Sequence, residues 1–364
     1  MAVIVASVTA TARHPNTFEI FRTASLNLVA DRDLYGPSAA HHDFFDYSPT
    51  FALLFAPFAL LPLWLGVLLW NALNAGSLYW SLGRVLAPAE AFIARAIAFI
   101  DTVGVMQSTQ SNALCAALII LAFAGLERNR EPSAAGAVGL GTAIKIFPAA
   151  AAAFALFRPE RLPRFAAWAG GVGLVLLALP LVVITPQALV AQYRSWIALQ
   201  PTIASLEYSV MDQVRLWFGV RWPYWPMQVL GVAVLLAPFA RSIAREDGRY
   251  RLRCLASVLM FCVLFNHKAE SPTFVIAAAG IGVWFAVSAR DRLAWMLLAI
   301  VVVGTVLASS EAMPHVIQER FFEPYRLKTL PLLALWLALQ WELWRQTTSS
   351  ARPGVESARA APLT

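Results

Sequence analysis

Apolar residues run along this chain in blocks of about 12 to 24, separated by short breaks rich in arginine or proline. Blocks of that length match helices that cross a bilayer, and short breaks join such helices into a polytopic protein. Spanning strands would instead show short alternating segments with polar inward positions, and the sequence has none. The pattern predicts an all-α polytopic membrane protein of about 9–11 transmembrane or re-entrant helices. The first block, "MAVIVASVTATA", is too short to span and lacks the basic start of a leader. It reads as the end of a helix that starts upstream.

The breaks carry the charge. Arginines cluster at 84 and 95, 128 and 130, 158 to 164, 241 to 253, 290 and 292, and from 345 onward. By the positive-inside rule those breaks face the cytoplasm. Parity then sends 165–185 outward, 225–240 back, 293–309 outward and 329–344 back, leaving 186–224 and 310–328 as external loops. The first external loop covers 13–47, and a span follows over Leu63 to Leu82. Between Arg253 and Arg290 a helical pair must turn outside at "NHKAES", 266 to 271. The segment 133–157 lies between two arginine breaks but is too short for two spans, which need about 40 residues. A re-entrant hairpin with Lys145 and Pro148 near its tip satisfies both constraints, because irregular backbone is tolerated where protein buries it. One long tilted helix is the alternative. Residues 1–346 form a single domain in this reading, and 347–364 is a disordered cytoplasmic tail.

Composition agrees: 59% of the residues are hydrophobic and 13% charged, against about 25% charged in soluble domains. The net charge of +7 is then a topology signal, which removes a nucleic-acid partner. Cys115, Cys254 and Cys262 lie in apolar runs, as small buried side chains do.

Of 28 basic residues only Lys145, Lys268 and Lys328 are lysine, and all three fall at the tip or the external turns. A compact point charge on a flexible stem suits an anion such as phosphate, although a lone lysine at an interface also snorkels. The tetrapeptide "SPTF" occurs at 48–51 and 271–274. Serine caps a helix and proline occupies its first turn, so both are helix starts whose free N–H groups favour anions. Asn266, His267 and Glu270 interrupt an apolar run, where ionisable groups are expensive. His267 is placed to act as a base or to hold a sugar hydroxyl. Gln110 and Asn112 stand at a helix end on the same side, whereas Asn71 and Asn74 read as interhelical hydrogen bonds. Trp196, Trp217, Trp222 and Trp225 read mainly as an interfacial belt. His41, His42 and Asp43 are contiguous rather than spaced as helical ligands, so no metal site is expected. A phosphate-binding glycine loop is missing too, and no cofactor is implied.

The stretches "NTFEIFRTASLNLVADRDLYGP", "FDYSPTFALLFAPFALLP", "LWNALNAG", "QSTQSNALCAALIILAF", "AAGAVGLGTAIKIFPAAAAAF" and "FNHKAESPTFVIA" together resemble glycosyltransferase family 87, across nearly the whole chain. The resemblance implies a C-type glycosyltransferase-like helical fold with its active site on the extracytoplasmic side. It implies a hexose, most often mannose, moved from a polyprenyl-phosphate donor to a lipid or glycan acceptor in a bacterial plasma membrane. It also implies a catalytic acid shortly before a "YR" pair. Here that pair is Phe21–Arg22 and the usual Asp position reads Thr17. Glu19 is then the first candidate base and Asp46 the second, with His267 matching the family's later histidine. Arg22, Lys145, Lys268, Arg326 and Lys328 are the candidates for the donor phosphate. Tyr35, Tyr47, Gln110, Asn112, Asn266 and Glu270 are the candidates for the sugar and acceptor. A transporter of lipid-linked sugars, and a non-catalytic family member, are the two rival readings.

Overall fold

A computed structural model describes residues 1–37, 43–199, 207–220, 222–307 and 315–346. The described residues are helical, with no strand among them. His41, His42 and the tail 347–364 lie outside the described residues. The first half runs through α1 Ala2–Ala12, α2 Asn16–Val29, α3 Pro49–Ala59, α4 Leu63–Val85, α5 Pro88–Gln107, α6 Asn112–Glu127 and α7 Glu131–Ile144. A 3-10 helix, Phe147–Phe157, leads to α8 Leu162–Ala178, α9 Pro186–Leu199, α10 Val210–Phe218, α11 Trp225–Leu236 and α12 Ile243–Glu246. Then come α13 Gly248–Leu264, α14 Phe274–Val287, α15 Arg292–Val301, the short α16 His315–Ile317 and α17 Glu323–Tyr325, and α18 Thr329–Arg345.

The centre is α14. Its sequence "FVIAAAGIGVWFAV" has no polar side, and every residue is buried, as expected of a helix that is apolar all round. Small residues let its neighbours close in. A Cβ on Gly282 would come within 2.8 Å of Ala94 backbone in α5, and one on Gly280 within 2.9 Å of the Ala256 carbonyl in α13. At the other extreme, the helical run Pro159–Val182 has only 11% of its apolar window buried. It is the one described helix long and apolar enough to cross a membrane, and seven shorter apolar helices accompany it.

Charge divides the bundle into two ends. At one, arginines meet acids: Arg251 grips Glu127 with two contacts at 2.7 and 2.9 Å, Arg249 reaches Glu90 at 2.8 Å, and Arg161 reaches Glu131 at 2.8 Å. The last pair joins the start of α7 to the segment just after the 3-10 helix. The chain therefore leaves the arginine end along α7, turns at Lys145, and comes back through Phe147–Phe157. The turn is tight, since a Cβ on Gly141 would lie 2.8 Å from Pro148.

Three expected loops contain helix. Within 13–47, α2 forms because Phe18, Phe21, Ala24, Ser25 and Leu28 recur on one face and bury it. Within 186–224 lie α9 and α10, the latter capped by Ser209 and ended by Gly219 in the left-handed region. Within 310–328 lie α16 and α17.

Candidate functional site

Opposite the arginine end, the starts of α3, α6 and α14 and the turn after α7 bring distant parts of the chain together. Ser48 caps α3 as its sequence indicates, accepting the Phe51 N–H at 3.2 Å, and its hydroxyl also donates to the Ala143 carbonyl beside the Lys145 turn. Ser271 behaves differently. Its hydroxyl does not cap α14; it accepts the Lys328 ammonium at 3.1 Å.

The polar cluster begins with Asp46 and Lys268, whose carboxylate and ammonium are 2.6 Å apart. Next to them the Tyr47 hydroxyl donates to Gln110 Oε1 at 3.3 Å, and Gln110 Nε2 donates to Glu270 Oε2 at 3.0 Å. The Lys145 ammonium donates to Asn112 Oδ1 at 3.0 Å and lies 5.4 Å from the centre of the Tyr47 ring. Tyr35 completes the floor, its hydroxyl donating to the Tyr47 carbonyl at 2.9 Å. Asn266 shapes the turn by accepting the Lys268 N–H at 3.0 Å. Tyr35, Tyr47, Gln110 and Asn112 are buried, Asp46 and Lys268 half-buried, and His267 and Glu270 exposed. The cluster is thus graded from a polar floor to an open rim.

The remaining candidates have other surroundings. The turn 266–270 is not helical, so His267 and Glu270 do not share a helix face. His267 instead stacks on Tyr224 at 5.6 Å, and the Tyr224 hydroxyl donates to Asp212 at 2.7 Å. Although the residue as a whole is exposed, partial desolvation of its ring against these neighbours, with the adjacent Lys268 charge, lowers the His267 pKa from 6.5, against Asp212 and Asp46. The shift favours the neutral imidazole. Arg326 lies over the Tyr208 ring at 4.7 Å. Glu19 is 3.9 Å from Arg22 on α2, and the described contacts join Asp46, rather than Glu19, to the lysine turn. Lys328, expected among the donor-phosphate residues, sits apart from Lys145 and Lys268 in its described contacts. Its side chain is 2% exposed, bound to Ser271, 3.9 Å from Asp101 and 4.2 Å from the Phe274 ring centre. Burial lowers its pKa to about 8, with Asp101 opposing.

Asp101 and Asp212 are contributors that the sequence reading passed over. The signal for Asp101 was one acid inside the apolar run "AIAFIDTVGVM". Asp212 had no comparable signal, because its stretch "YSVMDQVRLWF" mixes polar and apolar residues.

Against known proteins, the glycosyltransferase family 87 model matches residues 44–266. The chain belongs to glycosyltransferase family 87. No curated protein matches the sequence. Family 87 proteins are membrane-associated glycosyltransferases, so a sugar donor and an acceptor are the substrates in general terms. The family 87 match is narrower than the resemblance along nearly the whole chain. It takes in Asp46, Tyr47, Gln110, Asn112 and Lys145 and ends at Asn266. Glu19, Arg22 and Tyr35 precede it, and His267, Lys268, Glu270, Arg326 and Lys328 follow it.

Proposed function

We propose that this protein is a multi-pass membrane enzyme of the bacterial plasma membrane. It transfers a hexose, with mannose as the proposed sugar, from a polyprenyl-phosphate donor to a lipid or glycan acceptor on the extracytoplasmic face. The observation that carries the reading is the joining of Asp46, Lys268, Tyr47, Gln110, Glu270, Asn112 and Lys145, from four separate parts of the chain, at the end opposite the arginines. The arginine-rich breaks, which contain no lysine, gather at the other end and support the orientation, because such ends face the cytoplasm. The large apolar side chains exposed along Pro159–Val182 support a lipid surround.

In this reading Lys145 and Lys268 hold the donor phosphate, and the α6 start faces the same charge. Phosphate draws Lys268 away from Asp46 and leaves that carboxylate to act as base. The acceptor hydroxyl attacks C1 of the sugar and its proton passes to Asp46. The C1–O bond breaks and the electron pair leaves with polyprenyl phosphate. One displacement inverts the anomeric centre and needs only one base. His267, neutral and at the rim, is the second candidate for that proton. Glu19 becomes the less favoured acid, because its described ion pair is with Arg22.

The test is purified protein in liposomes with labelled polyprenyl-phosphate sugars, a nucleotide sugar as control, and extracted bacterial lipids as acceptors. Transfer from a lipid-linked sugar and none from the nucleotide sugar is the expected result. Donor binding without transfer to any acceptor would favour the non-catalytic reading. Movement of the intact donor across the bilayer would favour the transporter.

A further inference from the structure

The loop between α5 and α6 holds a residue that neither the family match nor the lysine cluster accounts for. Thr109 is fully buried at a backbone φ of +53°, a region that β-branched residues rarely enter. Two contacts hold it there. Its carbonyl accepts the Trp70 indole N–H at 2.8 Å, and its own N–H donates to Met106 at 3.3 Å. The Thr109 hydroxyl has no hydrogen-bond partner among the described residues. Three positions on, Asn112 is also fully buried. Lys145 occupies its carbonyl oxygen, and its amide nitrogen has no partner among the described residues. A buried polar group left unpaired carries a penalty of about 1–3 kcal/mol. Three such atoms, Thr109 Oγ, Ser111 Oγ and Asn112 Nδ2, fall on one short loop beside a lysine and the Gln110–Glu270 bridge, and they mark a place built for an occupant.

We infer that the loop 109–112 is the sugar-reading subsite of the enzyme, in which Thr109 Oγ and Asn112 Nδ2 bind a hydroxyl of the transferred hexose. This rests on the transferase reading above. A hydroxyl fits this pair because it accepts from Asn112 while donating to or accepting from Thr109. A phosphate oxygen only accepts, and two lysines already serve it. Thr109 thereby becomes a specificity-determining residue, and its uncommon backbone conformation is what holds the hydroxyl in place. A buried water is the competing occupant.

The experiment pairs changes in the enzyme with changes in the sugar. Polyprenyl-phosphate mannose, its glucose counterpart and the 2-, 3-, 4- and 6-deoxy mannose analogues are compared as donors for wild type, Thr109→Val, Thr109→Ser and Asn112→Asp. Asn112→Asp keeps the oxygen that Lys145 uses and replaces the unpaired nitrogen, so it tests the subsite even if Thr109→Val folds poorly. The expected result is one deoxy position that lowers kcat/KM roughly tenfold to a hundredfold in wild type and less than about threefold in Thr109→Val and Asn112→Asp. Thr109→Ser should behave as wild type. Equal penalties for every analogue in all four proteins, with Thr109→Val merely less stable, would mean that water fills the place and would overturn the inference. A wild type that transfers none of these sugars would remove the donor assignment, and the subsite with it.

Discussion

Asp46 and Lys268 join the segment between α2 and α3 to the turn after α13, and a double-mutant cycle measures how strongly. Their charged atoms are 2.6 Å apart, and the side chains are 23% and 22% exposed. Water screens such a pair less than a fully exposed one, which contributes about 0–1 kcal/mol. A short charge-assisted hydrogen bond at this depth contributes about 1.5–3 kcal/mol. Asp46→Asn and Lys268→Met should therefore each destabilise by about 1.5–3 kcal/mol, and the double variant by clearly less than their sum. The coupling is read from unfolding of all four proteins in the same detergent. In the transfer assay the two singles should part. Asp46→Asn should lower kcat by about 10²–10⁴ with the donor KM little changed, as removal of a general base does. Lys268→Met should raise the donor KM. A coupling near zero, or wild-type kcat in Asp46→Asn, would refute the pairing as the seat of the base.

Asp101 and Lys328 predict a larger stability effect without a comparable effect on proton transfer. Breaking this buried pair by Lys328→Met should cost about 3–5 kcal/mol, and Asp101→Leu combined with Lys328→Met should recover most of it, because no buried charge is then left alone. Calorimetry or denaturant titration reads both, and additivity would contradict the pairing. Glu19→Gln should leave transfer within about threefold of wild type, since its described partner is Arg22 on the same helix. Loss of more than about tenfold of kcat would restore Glu19 as the base. His267 has its pKa lowered in the folded protein. Its contribution to stability is complete above the ordinary value of 6.5 and declines as pH falls through the folded value, because the unfolded chain binds the proton first. His267→Gln should flatten that acid limb in unfolding measurements, and an unchanged limb would show that other groups produce it.

Much of the bundle is visible along the chain. The apolar block expected over 63–82 lies in a helix, as do those that flank the 266–271 turn between Arg253 and Arg290, the Ser48-Pro49 pair starts α3, and Asn71 makes the interhelical bonds its position implies, to Ser7 and Met106. The polarity of 13–47 hid α2, because its buried face of Phe18, Phe21 and Leu28 is interrupted by Glu19, Arg22 and Asn27. Local spacing carried that helix, and overall composition masked it. The lysines stood out by rarity, yet sequence alone could not separate Lys145 and Lys268, which join the cluster, from Lys328, which binds Ser271 near Asp101. That difference is tertiary. So is the backbone of Thr109, since positive φ in a β-branched residue comes from contacts with Trp70 and Met106 rather than from any local preference.

The central claim is that the lysine end holds the donor. It is tested most directly by cross-linking wild-type protein in liposomes to polyprenyl-phosphate mannose that carries a photoreactive group beside the phosphate, with the labelled peptides read by mass spectrometry. Labels on peptides holding Asp46–Tyr47, Thr109–Asn112, Lys145 and Asn266–Glu270, competed away by unlabelled donor, are the predicted result. Labels confined to the arginine end, around Glu127 and Arg251, would contradict it.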